Sequence, residues 1–265
     1  MIEAVVAALF GLLIGSFLNV CIHRWPRDLS VVRPRSACPE CEKPIVWYDN
    51  VPVLSFLFLR GRCRQCGARI HWRYPVVELL TAIAFAYIVH RAGVSLVAVK
   101  YCVFAAIVMA LVFCDFDTLL LPDEFTVGGF AIGLVFAFLV PVPDSTFRLI
   151  AGMFGALPGP RVGSFAEALL GAIVPAGAIW LGGWVFEKVR HKEGLGFGDV
   201  KMLAMVGAFL GIQSALLTVV VGSVAGSIIG LIFVKATGKD AATYPLPFGS
   251  FLGAAALLAA IRTFP

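Results

Sequence analysis

The chain opens on "IEAVVAALFGLLIGSFLNVC", twenty residues in which Glu3 is the only charge. A helix of that length spans about 30 Å, the thickness of a bilayer's hydrocarbon core. Further apolar runs recur along the sequence, and helices are predicted over 2–22, 76–90, 97–114, 125–140, 166–186, 200–212, 214–234 and 248–262. With 60% hydrophobic and 14% charged residues, a chain of 265 residues cannot hide its apolar surface in a soluble core. The expected fold is an all-α polytopic membrane protein of about eight transmembrane helices. The first run lacks a basic leading segment and a small-residue cleavage site, so it is expected to be kept as a helix and not removed as a signal peptide.

One large polar insert separates the first run from the second. Three parts are therefore expected: a first transmembrane helix (1–22), the insert (23–75) and a helical bundle (76–265). With the N-terminus outside, sixteen of the 21 Lys and Arg fall in inner segments, ten of them in the insert. Only Arg91, Lys100, Arg148, Arg161 and Arg262 fall outside. Cytoplasmic loops of membrane proteins carry this bias, so the net charge of +5 reflects topology and the anionic inner leaflet. It does not imply a nucleic-acid partner.

The insert carries "CPEC" (Cys38, Cys41) and "CRQC" (Cys63, Cys66), two C-x2-C knuckles at the spacing of a zinc ribbon. Four thiolates can surround Zn²⁺ tetrahedrally, and disulfides are rare on the reducing cytoplasmic side. A small segment with few apolar residues would draw folding energy from such a metal. Trp47, Tyr48, Asp49, Asn50 and Trp72 belong to the same insert, and its aromatic rings are expected to form a small core around the metal. Cys21, Cys102 and Cys114 lie in or beside apolar runs and read as core residues.

Carboxylates at membrane boundaries are costly and point to function. One group is "CDFDTLLLPDE", with Asp115, Asp117, Asp123 and Glu124; another is Asp199 in "GLGFGDVKML". Asp115 and Asp117 are two residues apart, so on a helix they face different sides, and at most one can face Asp199. Asp199 also reads as a helix N-cap, and so does Asp123 after Pro122. The run that starts at Val200 is too short to cross a bilayer. The glycine-rich backbone before it is therefore expected to line a wet cavity that holds Asp199. Two carboxylates meeting in such a cavity share one proton, which is the equipment of an aspartic protease. A transporter whose aspartates relay ions or protons is the competing reading. Gly222, Gly226 and Gly230 recur every fourth residue and mark a close-packing face, either for the chain's own helices or for a partner helix.

The segments "GSFLNVCIHRWP" (15–26), "RPRSACPECEKPIVWYDNVPVLSFLFLRGRCRQCGARIHWRYPVVELLTA" (33–82), "DFDTLLLPD" (115–123) and "GLGFGDVKMLAMVGAFLG" (194–211) together resemble the bacterial type IV prepilin peptidases, also called prepilin leader peptidase/N-methyltransferases. The resemblance implies a G-x-G-D intramembrane aspartic protease, with the motif at Gly196, Phe197, Gly198 and Asp199. It implies that Asp115 and Asp199 are catalytic, with Asp117 the fallback for the first. Substrates would be prepilins or pseudopilins, cut after a Gly at the cytoplasmic face of the bacterial inner membrane. The new N-terminal amine would then be methylated with S-adenosylmethionine. The interval between Asp115 and Asp199 is longer than the family's, and the excess is placed in residues 141–165. Asn19, Arg24 and Glu78 fall in the matching segments without an assigned role, although Glu78 is expected to favour the dipole of the second helix from its first turn. A peptidase without methylation remains the nearer alternative, but the complete pair of cysteine knuckles speaks against it.

Overall fold

The computed structural model describes residues 1–155, 158–191, 196–237 and 246–264, and among these there is no β-strand beyond two isolated bridges. The sequence expectations that touch Lys192, Gly194, Leu195 and Lys239 lie outside the described residues. The chain forms two compact units, residues 1–110 and 111–265.

The first unit holds α1 (Ile2–Arg24), a short α2 inside the insert (Leu54–Phe58), α3 (Arg73–Ala92) and most of α4 (Leu96–Thr118). Helix α1 lies along α3. Gly11 and Gly15, one turn apart, make this possible. A Cβ at either position would come within 2.6 Å of the Ala82 Cα or 2.7 Å of the Glu78 Cα, so only hydrogen lets the two backbones approach so closely. Helix α3 ends on His90 and Arg91, which favour the negative end of its dipole, and then on Gly93 at φ 65°.

The second unit holds the end of α4 and then α5 (Asp123–Leu139), α6 (Thr146–Met153), α7 (Pro160–Arg190), α8 (Phe197–Leu210), α9 (Ile212–Thr237) and α10 (Phe248–Thr263). Helix α8 is the core of this unit. It touches α5, α7, α9 and α10, and every residue from Val206 to Leu210 is buried. Its closest neighbour is α7, where a Cβ at Gly207 would fall 1.9 Å from the Gly171 carbonyl oxygen. On its other side Phe209 meets Phe136 of α5 with ring centroids 6.1 Å apart. The Gly222/Gly226/Gly230 face of α9 rests on Leu252, Phe251 and Leu246 at and just before α10. That close-packing face therefore serves the chain's own helices.

All eight expected helices are present. Five of the long helices, beginning at Ile2, Arg73, Leu96, Pro160 and Ile212, have the length and apolar character to cross a membrane. Helices α5, α8 and α10 are shorter, at 17, 14 and 16 residues. Helix α7 is longer than expected at 31 residues. It starts on Pro160, whose fixed φ suits a first helical position, and it carries Pro175 in its interior.

Candidate active site and metal centre

Asp115 lies on the last turn of α4 and is 5% exposed. Its neighbour in space is the first turn of α10, which sequence reasoning did not single out. The backbone N–H and the hydroxyl of Ser250 both donate to Asp115 Oδ2, at 2.6 and 2.9 Å. The Ser250 Oγ also lies 3.0 Å from the Val112 carbonyl oxygen. Gly249, one residue earlier, is what lets the carboxylate sit here, because a Cβ would stand 3.0 Å from the carboxyl carbon.

Asp199 is the third residue of α8. Gly196 is the N-cap of that helix, and no side chain caps it, so Asp199 is not the cap that its position in the sequence allowed. Its carboxylate folds back towards the loop, with Oδ2 3.3 Å from where a Cβ of Gly196 would be. The side chain of Leu121 joins the two sites. It lies 3.1 Å from a Cβ position at Gly198 and 3.0 Å from one at Gly249. The Asp115 and Asp199 carboxylates are within electrostatic reach of each other. Asp117 is exposed, as expected for a residue two positions from Asp115 on one helix. Asp123 is the first residue of α5, whose N-cap is Pro122 with no side-chain cap bond. Its carboxylate pairs with the Lys201 ammonium of α8, which corrects the capping role expected for it.

The four cysteines of the insert converge. The Sγ atoms of Cys38, Cys41, Cys63 and Cys66 all lie within 4.8 Å of one another, and those of Cys38 and Cys66 are 3.8 Å apart. Four sulfurs at about 2.3 Å from a tetrahedral zinc stand about 3.8 Å from one another, so the donor set and its size fit zinc. The two knuckles are built alike. Cys38 N–H donates to Lys43 O and Cys63 N–H to Ala68 O, and each knuckle closes through a left-handed residue, Glu42 or Gly67. The N–H groups of Cys66 and Gln65 pull the Cys63 thiol down to about 7, towards the thiolate that a metal requires.

The insert's aromatic residues are not the core expected around this centre. Trp47 is 82% exposed, and Tyr48 and Trp72 are about half exposed. Four sulfurs leave little apolar volume to fill, and the second knuckle is tethered instead by a two-pronged ion pair from Arg64 to Asp49, with the Arg64 guanidinium over the Tyr48 ring. That guanidinium holds the Asp49 carboxyl below its ordinary value.

The three residues without an assigned role also find places in the first unit. Arg24 donates to the carbonyls of Ser30 and Pro34 and so folds the start of the insert back on the end of α1. The buried Asn19 amide donates to Tyr74 O, bridging α1 and α3. Because α3 begins at Arg73, Glu78 lies in its second turn and not its first. It is buried and accepts the Val53 N–H at 2.7 Å, where Val53 adopts φ 59°. A positive φ is costly for a β-branched residue, so the carboxylate fixes a strained turn of the insert to α3. Cys21, Cys102 and Cys114 are buried, as expected.

The chain matches the Bacterial Peptidase A24 N-terminal domain over residues 9–92 and the Type IV leader peptidase family over residues 102–231. Its curated relatives include proteins named prepilin leader peptidase/N-methyltransferase. One from Aeromonas hydrophila is 34% identical, over 95% of this chain and 88% of that protein. One from Pseudomonas aeruginosa is also 34% identical, over 95% and 87%. A third, from Myxococcus xanthus, is 39% identical over 89% of this chain, which spans 64% of that longer protein. No solved structure matches the chain.

Proposed function

Since the chain belongs to the type IV leader peptidase family, we propose that it is a prepilin leader peptidase and N-methyltransferase whose aspartic protease centre is Asp115 and Asp199. The observation that carries this reading is that Leu121 borders both Gly198, next to Asp199, and Gly249, against the Asp115 carboxyl, although 83 residues separate the two aspartates in the sequence. One carboxylate takes a proton from water while the other gives one to the scissile carbonyl oxygen, and the C–N bond breaks from the resulting tetrahedral diol. Gly196 and Gly198 leave the backbone beside Asp199 bare, so an extended peptide can approach it.

The substrate class follows from charge and hydropathy. A prepilin offers a basic leader followed by an apolar helix already in the bilayer. Asp117 and Glu124, both exposed, give the approach to Asp115 the opposite sign. The positive-inside distribution of Lys and Arg puts this end of the bundle, and the insert, on the cytoplasmic side of a bacterial inner membrane. Cys38, Cys41, Cys63 and Cys66 hold a structural zinc that folds the insert.

S-adenosylmethionine supplies an electrophilic methyl group to the amine that cleavage frees. The first unit is the place for that donor, because the protease centre occupies the second and the side chains of Trp47 and Trp72 are exposed.

Incubating a synthetic prepilin with the protein and methyl-labelled S-adenosylmethionine tests the proposal. The expected products are a free leader and a mature chain labelled on its N-terminus. Cleavage without label would favour a peptidase alone, and no cleavage would favour the transporter reading.

A further inference from the structure

Two donors on one residue aim at one oxygen of Asp115. Ser250 is the third residue of α10, in the turn where the helix dipole is positive, and its N–H is shared with the Pro247 carbonyl oxygen at 3.2 Å. Its N–H lies 2.6 Å and its Oγ 2.9 Å from Asp115 Oδ2. The hydroxyl has one proton and two acceptors within reach, Oδ2 and the Val112 carbonyl oxygen. Pointed at Oδ2, that proton gives one oxygen of Asp115 a second donor from the same residue. Hydrogen bonds donated to a carboxylate favour its ionised form.

We infer that Ser250 is a positioning residue that keeps Asp115 ionised and directs it as the base of the pair, which leaves Asp199 as the acid. This rests on the two-aspartate reading above. With Oδ2 taken by Ser250, Oδ1 of Asp115 is the atom that addresses the water. Asp199 sits in a different setting: it is beside Gly196, and among the described residues no side-chain cap bond involves it. The proton that the pair shares therefore rests on Asp199.

The other charged groups leave this assignment standing. Asp117, on the same helix as Asp115, is exposed. On α5, Asp123 is paired with Lys201 of α8, and Glu124 is exposed. The first turn of α10, Phe248 to Ser250, carries no titratable group. Across the site, Asp115 acts electrostatically on Asp199.

The steps balance. Asp115 Oδ1 takes a proton from water as the oxygen bonds to the scissile carbonyl carbon, and Asp199 protonates the carbonyl oxygen. When the C–N bond breaks, the leaving nitrogen takes the proton from Asp115. A hydroxyl of the diol returns its proton to Asp199, and both side chains regain their starting forms.

The test is prepilin cleavage as a function of pH by the full-length protein in lipid nanodiscs, for the wild type, Ser250→Ala, Ser250→Thr and Asp115→Ala. Ser250→Ala removes the hydroxyl donor but keeps the N–H. Its kcat is expected to fall about ten-fold with KM unchanged, and the acid limb of its kcat/KM profile to move up by about one pH unit. Ser250→Thr, which restores a hydroxyl, is expected to return both towards the wild type. An unshifted acid limb in a folded Ser250→Ala protein overturns the inference, whatever happens to kcat, and so does failure of a folded Ser250→Thr protein to recover. Wild-type cleavage by Asp115→Ala overturns the two-aspartate reading itself, and the inference with it.

Discussion

Gly249 touches Asp115 with no side chain between them: a Cβ at that position would stand 3.0 Å from the carboxyl carbon and 3.0 Å from Leu121 Cδ1. The base of the proposed dyad is thus seated against bare backbone at the mouth of α10. Leu121 wedges between that mouth and the start of α8, so the spacing of the two carboxylates depends on two glycines and one leucine. Gly249→Ala is therefore expected to shift Asp115 by a few tenths of an ångström and lower kcat about ten-fold, with the fold retained. Steady-state cleavage alongside thermal unfolding checks it, and a variant as active as the wild type would show that the contact does not position the carboxylate.

The α7–α8 crossing is tighter still and lies away from the proposed chemistry. A Cβ at Gly207 would overlap the Gly171 carbonyl oxygen, and backbone cannot step aside as a flexible side chain can. Gly207→Ala is expected to cost at least about 3 kcal/mol and to lower the yield of folded protein sharply. Gly177→Ala, on the same α7 but with no atom within 4 Å of the new Cβ, is expected to be nearly silent. Thermal shift in detergent compares the two.

Metal analysis of the purified chain is expected to find about one zinc per molecule. Cys63→Ser and Cys38→Ser should each lose most of it, because three thiolates no longer close the tetrahedron. Asp49→Asn should keep the metal but release it faster to a competing chelator, since it loses the charge that pairs with Arg64 on the second knuckle. The pair is formed above the ordinary carboxylate range. Because Arg64 depresses the folded Asp49 pKa, its contribution is present at neutral pH and disappears as pH falls through that lowered value.

Glu78→Ala removes the buried acceptor of the Val53 N–H and frees the insert's strained turn from α3. With methyl transfer proposed in the first unit and proteolysis in the second, methylation is expected to fall about ten-fold or more while cleavage stays within about two-fold of wild type. A radiolabel assay run beside the cleavage assay separates the two. Equal losses of both activities would contradict this division of labour.

The sequence announces what its local patterns can carry. Apolar runs located all eight long helices, because burial against lipid or protein leaves a continuous stretch to read. Two C-x2-C pairs located the four-cysteine cluster, because ligand spacing within a knuckle is a local property. Contacts between distant segments are much harder to see. Asp115 meets Ser250 across 135 positions, and the only local trace is "PFGS", a glycine and a serine in the first turn of a helix. Asp123 looks like a cap until Lys201, 78 positions away, takes its charge. The α1 glycines Gly11 and Gly15 form a close-packing pair four residues apart, and the same spacing that drew attention to Gly222, Gly226 and Gly230 would have found them. The aromatic residues of the insert misled for a physical reason: a four-thiolate centre of the proposed kind folds its surroundings through bonds to metal and needs no apolar core.

The most direct measurement is cleavage of one synthetic prepilin by Asp115→Asn, Asp199→Asn and Asp117→Asn proteins, each shown to be folded and to bind zinc. Loss of about a thousand-fold or more is expected for the first two, with Asp117→Asn close to the wild type. Substantial cleavage by either Asp115→Asn or Asp199→Asn would contradict the account.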